Sequence, residues 1–255
     1  MIHPGAIVHP SAKVDRTADV GPFCVVGEHV RIGARTRLLA HVVVNGHTTL
    51  GEDTVVYPFA SIGTASQDRK ASDELAFTTV GSRTTIREYV SIHRATGSGE
   101  TTSVGDDCLL LAHSHVAHNC IVGSNVTMSN MVQLAGHCII EDYAGIGGMS
   151  GLHQFVRIGR YAFVGGYTKL VSDLPPFLLC DGNPAEIYGL NIAGLRRAGF
   201  GRDVMQELKD AYKTLYRSDR NLSQAVATLR ETVATKEGRA LLGFLEAESN
   251  RGIMK

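Results

Sequence analysis

His113, His115 and His118 fall within the stretch Leu111-Ala-His-Ser-His-Val-Ala-His-Asn-Cys120, the densest group among the 11 histidines of the chain. Imidazole exchanges protons near neutral pH and is also the commonest nitrogen ligand of zinc. Adding 18 to 118 gives Gly136 and adding 18 again gives Gln154, with His137 and His153 beside them. If the chain winds with 18 residues per coil, His118, Gly136, His137, His153 and Gln154 stack at one corner as a polar column. The five cysteines point elsewhere. Cys24, Cys108, Cys120 and Cys138 recur where such a coil would turn small side chains inward, and no pair has CxxC spacing. They read as buried structural thiols, consistent with a reducing compartment.

The period that would build the column runs through most of the chain. From Ile2, a step of six meets an aliphatic at 25 of the 28 positions up to Val164, the exceptions being Asp68, Glu74 and Ser98. Two residues before each aliphatic stands a small or β-branched residue, as at Ala18, Thr36, Thr54, Ser114, Val126 and Ala162. The residue after it is often glycine, for example Gly21, Gly33, Gly105, Gly147 and Gly165, which suits a sharp corner. Short strands with two inward residues per six predict a prism of hexapeptides, three to a coil, stacked about 4.8 Å apart. Each coil buries its core only against its neighbours.

The exceptions place two excursions from the prism, at 64–79 with Gln67-Asp-Arg-Lys70 and at 97–103 with Gly97-Ser-Gly-Glu-Thr-Thr-Ser103. A loop leaving a rigid scaffold is either a neutral insertion or a contact for ligand or subunit. After Val171-Ser-Asp173 the repeat stops at Leu174-Pro-Pro176 and the period becomes helical. Val204, Leu208, Ala211, Tyr212, Leu215 and Tyr216 form one stripe, and Leu222, Ala225, Val226, Leu229 and Val233 another. Asn221 with Gln224 marks a helix start, and Leu241, Phe244 and Leu245 suggest a third helix. The expected organisation is a mainly β solenoid over 1–186 and a C-terminal α-helical domain over 187–255.

Composition narrows the possible functions. The 25 basic and 25 acidic residues leave no net charge, so no basic field exists to hold nucleic acid. Aliphatic runs such as Val42–Val44 are far too short to span a bilayer, and the first residues lack the pattern of a secretory signal. A cytoplasmic protein without stable membrane insertion is expected. Zinc is the first alternative to test. Carbonic anhydrases built on a similar solenoid pair two histidines five apart with a third 36 residues upstream. His113 and His118 match the pair, but position 77 is Phe77, so the metal loses its third ligand.

Longer motifs carry a resemblance over nearly the whole chain. They are His41-Val-Val-Val-Asn-Gly-His47, Phe59-Ala-Ser-Ile-Gly63, Gln67-Asp-Arg-Lys70, Ile92-His-Arg94, His115-Val-Ala-His118, Leu134-Ala-Gly-His137, Ile146-Gly-Gly-Met149, His153-Gln-Phe155, Gly182-Asn183 and Asn191-Ile-Ala-Gly-Leu-Arg-Arg197. In this order, and followed by a helical tail, they resemble the acyl-carrier-protein-dependent UDP-N-acetylglucosamine O-acyltransferases that begin lipid A synthesis. The resemblance implies a left-handed parallel β-helix, although parallel crossovers in general favour the right hand. It implies a homotrimer with its site between subunits, and transfer of a 3-hydroxyacyl chain from acyl carrier protein to the sugar 3-hydroxyl. No cofactor is implied beyond the carrier-protein thioester as co-substrate.

By the same resemblance His118 matches the general base and the Gly136 N–H the oxyanion donor, with Asn119 completing the catalytic set. No cysteine or serine in the column is implicated as a nucleophile, so direct attack without an acyl-enzyme is expected. Asp68, Lys70, His115, His137, His153, Gln154, Asn191 and Arg197 match contacts to sugar, nucleotide or phosphate. Gly166 matches the position whose side-chain size sets acyl length. Arg196, Arg197 and Arg202 could meet an acidic carrier protein.

The chain departs from the family pattern in three places. Asn119 stands where the family commonly has Asp; an amide orients the imidazole but carries no charge. This favours, as an alternative acceptor, the 3-amino analogue of the UDP-sugar. Ala193 and Ala198 stand where an acidic residue and another Arg are frequent. Two other readings are a coenzyme A dependent acetyltransferase, suited by Asn183-Pro-Ala185, and a scaffold solenoid without catalysis.

Overall fold

The computed structural model describes residues 1–71 and 74–255. Among these, strands mostly two residues long, such as Val25–Val26, Arg31–Ile32 and Arg37–Leu38, stack into three sheets of nine, eight and ten strands. The first sheet runs from Ile7–Val8 to Lys169–Leu170, the second from Lys13–Val14 to Arg157–Ile158, and the third from Asp19–Val20 to Glu186–Leu190. Up to Lys169–Leu170 pairing is parallel and steps mostly by 18 residues, as in Ile7 with Val25 and Ile121 with Ile139. Across the first excursion the step widens to thirty, with Ser61 on Ser91, and across the second to twenty-four, with Ser91 on His115. The excursions thus displace two hexapeptides and one, without shifting which residues face inward.

Their ends continue the sheets. Thr64 closes the strand Ser61–Thr64, Phe77–Val80 pairs with both His47–Leu50 and Thr101–Val104, and among the described residues only 65–71, 74–76 and 97–100 of the excursions leave the prism. Ser72 and Asp73, in the middle of the first, lie outside the described residues.

The predicted aliphatics form the axis of the prism, with Leu38, Ile62, Leu110, Leu134 and Ile146 at most 1% exposed. Most of the small inward positions are buried as well, and polar members such as Thr36 and Thr54 bond to main chain, whereas Ser114 Oγ has no partner among the described residues. Thr36 Oγ1 donates to Gly51 O at 2.6 Å and Thr54 Oγ1 to Gly81 O at 2.9 Å. All five cysteines are free and buried. Burial pushes the Cys108 thiol up to about 11 and the Cys180 thiol up to about 12, so these thiols stay protonated and pack as small side chains.

The corners work differently from the expectation placed on their glycines. The left-handed residue is two positions later, at Phe23, Arg35, Asp53, Asn119, His137 and their equivalents, with φ between 54° and 69° across the series. Gly33 is required for another reason. A Cβ there would lie 2.7 Å from the main-chain carbon of Gly51 on the next coil, so glycine sets how closely coils approach.

Four helices follow among the described residues: α1 (Ile192–Arg197), α2 (Arg202–Tyr216), α3 (Leu222–Thr232) and α4 (Lys236–Glu246). Asn221 and Gln224 form the expected reciprocal cap of α3. Leu208, Leu229, Leu241 and Leu245 build a second core around Phe177 and Leu195. The expected boundary at 186/187 falls inside the strand Glu186–Leu190, which pairs antiparallel with Leu178–Asp181 and carries the third sheet up to α1. The final residues return to the prism. Fully buried Asp173 receives Arg157 Nε at 2.7 Å and Ser249 Oγ at 2.7 Å, and Ile253 bridges to Asp173. No helix among the described residues is long and apolar enough to cross a membrane.

Candidate active site

The strands His115–Val116 and Ile121–Val122 belong to different sheets, and the corner joining them places His118. Its carbonyl accepts the N–H of His137 one coil further on, at 3.0 Å, which stacks the two corners. The His118 side chain is only 7% exposed. Its Nδ1 lies 2.9 Å from Asn119 Oδ1, and its Nε2 faces Asp68 Oδ2 at 4.0 Å. An ideal Cβ on Gly136 would stand 2.5 Å from both Cε1 and Nε2 of this ring, so only glycine at 136 leaves the imidazole its place.

Asp68 reaches His118 because its loop is internally tied. Ser66 Oγ accepts the Asp68 N–H at 3.1 Å, and Asp68 Oδ1 accepts the Lys70 N–H at 3.0 Å, which leaves Oδ2 toward the imidazole. Together with Lys70, His115, His153 and Gln154, these two residues line a groove of about 840 Å³ that climbs the first sheet to Leu170. His115 Nδ1 bonds Ser91 Oγ at 2.7 Å; burial, aided by nearby His93, pulls its pKa down to about 4. His137 meets His118 edge to face at 5.1 Å and stacks on Phe155 at 4.7 Å, and burial also lowers its pKa. Burial thus disfavours the charged form of both His115 and His137 beside His118.

Three expected site residues lie elsewhere on the chain. Asn191 and Arg197 line a second groove of about 730 Å³ on the third sheet, beside Thr127, Gly145 and Phe163. Asn191 there caps α1 through Gly194 N at 3.0 Å and donates to Tyr161 O at 2.9 Å. Gly166 occupies the corner between the third and first sheets, near Gly148 and Tyr167. Unlike Gly147, whose Cβ would stand 2.5 Å from Gly166 N, Gly166 has room for a Cβ, 3.4 Å from its nearest neighbour. Arg196 and Arg202 share a further groove with Lys209, while Arg197 faces the other way. His113 also belongs away from the column, ending an aromatic ladder through Phe23, His41, Phe59 and Tyr89 with ring spacings of 4.7–5.1 Å.

Other groups at the site escaped the hexapeptide arithmetic. His93 is 9% exposed, stands edge-on to His115 at 5.0 Å, and has its pKa lowered by burial. The motif Ile92-His-Arg94 was its signal. Arg251 arrives from the C-terminal tail, where Nε donates to Gln154 O at 2.7 Å and Nη2 meets the His153 ring. Nothing in the repeat points to a residue so distant in sequence.

Residues 173–254 match the family model described as UDP N-acetylglucosamine O-acyltransferase, domain 2. The chain is 46% identical over 212 residues to the acyl-[acyl-carrier-protein]–UDP-N-acetylglucosamine O-acyltransferase of Burkholderia orbicola, covering 81% of this chain and 80% of that one. Its Synechocystis counterpart of the same name is 44% identical over 208 residues, covering 82% and 75%. Among solved structures, LpxA from Acinetobacter baumannii superposes with a TM-score of 0.96 at 38% identity, covering 100% of this chain and 99% of that one. LpxA from Bacteroides fragilis, a UDP-N-acetylglucosamine acyltransferase, superposes with a TM-score of 0.96 at 32% identity, with both chains fully covered. The fold is the left-handed parallel β-helix with a C-terminal helical region, and the protein is an acyltransferase. The chain belongs to the acyl-[acyl-carrier-protein]–UDP-N-acetylglucosamine O-acyltransferase family.

Proposed function

We propose that the protein transfers a 3-hydroxyacyl chain from acyl carrier protein to the 3-hydroxyl of UDP-N-acetylglucosamine, the first step of lipid A biosynthesis, in the cytoplasm. The observation that carries this reading is His118, buried in the groove wall with Nδ1 on Asn119 and Nε2 toward the open groove. Nε2 takes the proton of the sugar hydroxyl as its oxygen attacks the thioester carbon. The Gly136 N–H, which donates to no other group among the described residues, meets the developing oxyanion. As the C–S bond breaks, the imidazolium returns the proton to the departing carrier thiolate, and no acyl-enzyme forms. Asp68, Lys70, His137, His153 and Gln154 hold the sugar and its phosphates.

A homotrimer completes the site. Asn191 and Arg197 sit on the third sheet, away from the His118 groove, so nucleotide contacts from these residues come from the neighbouring subunit. Gly166 is not demanded by packing within its own chain, which supports a role for its smallness toward the acyl chain. Arg196, Arg202 and Lys209 offer the acidic carrier protein one basic groove.

Asn119 supports a second acceptor, the 3-amino analogue of the UDP-sugar. A neutral amide stabilises the imidazolium less than a carboxylate would, and an amine depends less on a strong base. Incubating the protein with 3-hydroxyacyl carrier proteins of several lengths and both UDP-sugars, with products read by mass, tests both readings. Ester product from the 3-hydroxy sugar is expected. Product from the amino sugar alone would move the assignment to N-acylation, and no product from any pair would overturn both.

A further inference from the structure

Asn119 sits at a left-handed corner with φ of 58°, a conformation that Asn tolerates better than most residues. Its own N–H is taken by Thr102 Oγ1 at 2.8 Å. Its side chain is held by the main chain of Thr96, just before the second excursion. Oδ1 accepts the Thr96 N–H at 2.9 Å, while Nδ2 donates to the Thr96 carbonyl at 3.1 Å. Thr96 is itself tied to the first excursion, its hydroxyl donating to Ser66 Oγ at 2.9 Å.

The two ends of a side-chain amide are hard to tell apart by shape, but here chemistry decides between them. Thr96 presents one donor and one acceptor, which an amide satisfies only with its oxygen toward the N–H and its nitrogen toward the carbonyl. The atom facing His118 Nδ1 is then an acceptor, 2.9 Å away. In the neutral ring Nδ1 must carry the hydrogen, and the lone pair falls on Nε2, the atom above Gly136 and opposite Asp68.

We infer that Asn119 is a positioning residue which, clamped by the Thr96 main chain, fixes the Nδ1–H tautomer of His118, and that the chain at Thr96, just before the second excursion, is built for an amide at 119. Aspartate would satisfy the Thr96 N–H and the imidazole, but would set a carboxylate oxygen against the Thr96 carbonyl with no hydrogen between them. The inference deepens the acyltransferase reading and rests on it for the role of the free Nε2, whereas the tautomer itself does not depend on turnover.

Long-range ¹H–¹⁵N correlations on histidine-labelled protein, at a pH where the ring is neutral, report the His118 tautomer directly. The wild type is expected to show Nδ1–H, and Asn119→Ala a mixture of both tautomers. In Asn119→Ala, kcat should fall about 10²-fold or more with little change in KM, since a mis-set tautomer costs up to about 10⁴ in an imidazole-based site. Asn119→Asp should recover part of that loss and remain below wild type across the pH profile. An Nδ1–H chain that transfers no acyl group would keep the inference and remove the functional reading. Nε2–H in the wild type, a folded Asn119→Ala protein with unchanged kcat, or an Asn119→Asp protein at or above wild type would each overturn the inference.

Discussion

At the scale of single residues, the site depends on what surrounds His118 as much as on the imidazole. Gly136 has room for no side chain, because an added methyl would lie 2.5 Å from Nε2. Gly136→Ala is therefore expected to displace the ring and lower kcat about 10²-fold with KM little changed, as misplacement near 1 Å does. A kcat within threefold of wild type would show that the ring has another place to sit. His115 makes a pH-dependent contribution of known sign. Its pKa in the folded state is drawn down to about 4 by burial, below the ordinary value of 6.5 for an unfolded histidine. Between these values the unfolded chain binds a proton that the native protein refuses, so stability falls as the pH is lowered from about 6.5 to about 4. Replacing His115 with Gln is expected to flatten that slope in denaturant midpoints taken across this range. The polar column was legible in the sequence because a fixed period places His118, Gly136 and Gln154 on one corner. Thr96 and His93 were not, since the coils joining them to the column step by twenty-four residues rather than 18.

At the scale of elements, the prism holds its shape through main-chain contact between coils. Inward aliphatics fill the axis, but glycines such as Gly33 set the spacing, with no room for a Cβ against Gly51. Gly33→Ala is expected to cost about 1–3 kcal/mol by overpacking, measured as a lower denaturant midpoint with the same activity per folded molecule. An unchanged midpoint would mean that the coils separate without penalty. Here the sequence misled in an instructive way. Glycine recurring after many of the aliphatics looked like the residue that turns the corner, yet the left-handed conformation is adopted by Phe, Arg, Asp, Asn, His, Met and Tyr two positions later. Repetition revealed that glycine was required, and only the stacking of neighbouring coils revealed why. The helical region was legible in three of its four helices; α1, six residues long, carries too little periodicity to be seen. The C-terminal return through Ser249, Arg251 and Ile253 has no local signal, because its partners are Asp173 and the His153 corner.

At the scale of the whole molecule, the candidate substrate-binding residues divide between two faces. His118, Asp68 and Gln154 share one groove, and Asn191 and Arg197 share another on a different sheet. If each catalytic chamber takes one face from each of two neighbouring chains, His118→Ala and Arg197→Ala damage opposite walls. Each variant alone should be nearly inactive. Random mixing after co-refolding should restore about one quarter of the sites, because an intact chamber then needs an unmutated wall from both neighbours. No recovery in assembled mixed oligomers would place both walls in one chain. The central claim remains that His118 is the base for acyl transfer to UDP-N-acetylglucosamine. Its most direct test compares initial rates of wild type and His118→Ala with saturating 3-hydroxyacyl carrier protein and this sugar, after circular dichroism has shown both to be folded. The expected result is an acylated sugar from wild type and a rate lower by about 10²- to 10⁴-fold in the variant; equal rates, or no acylated sugar from wild type, would contradict the claim.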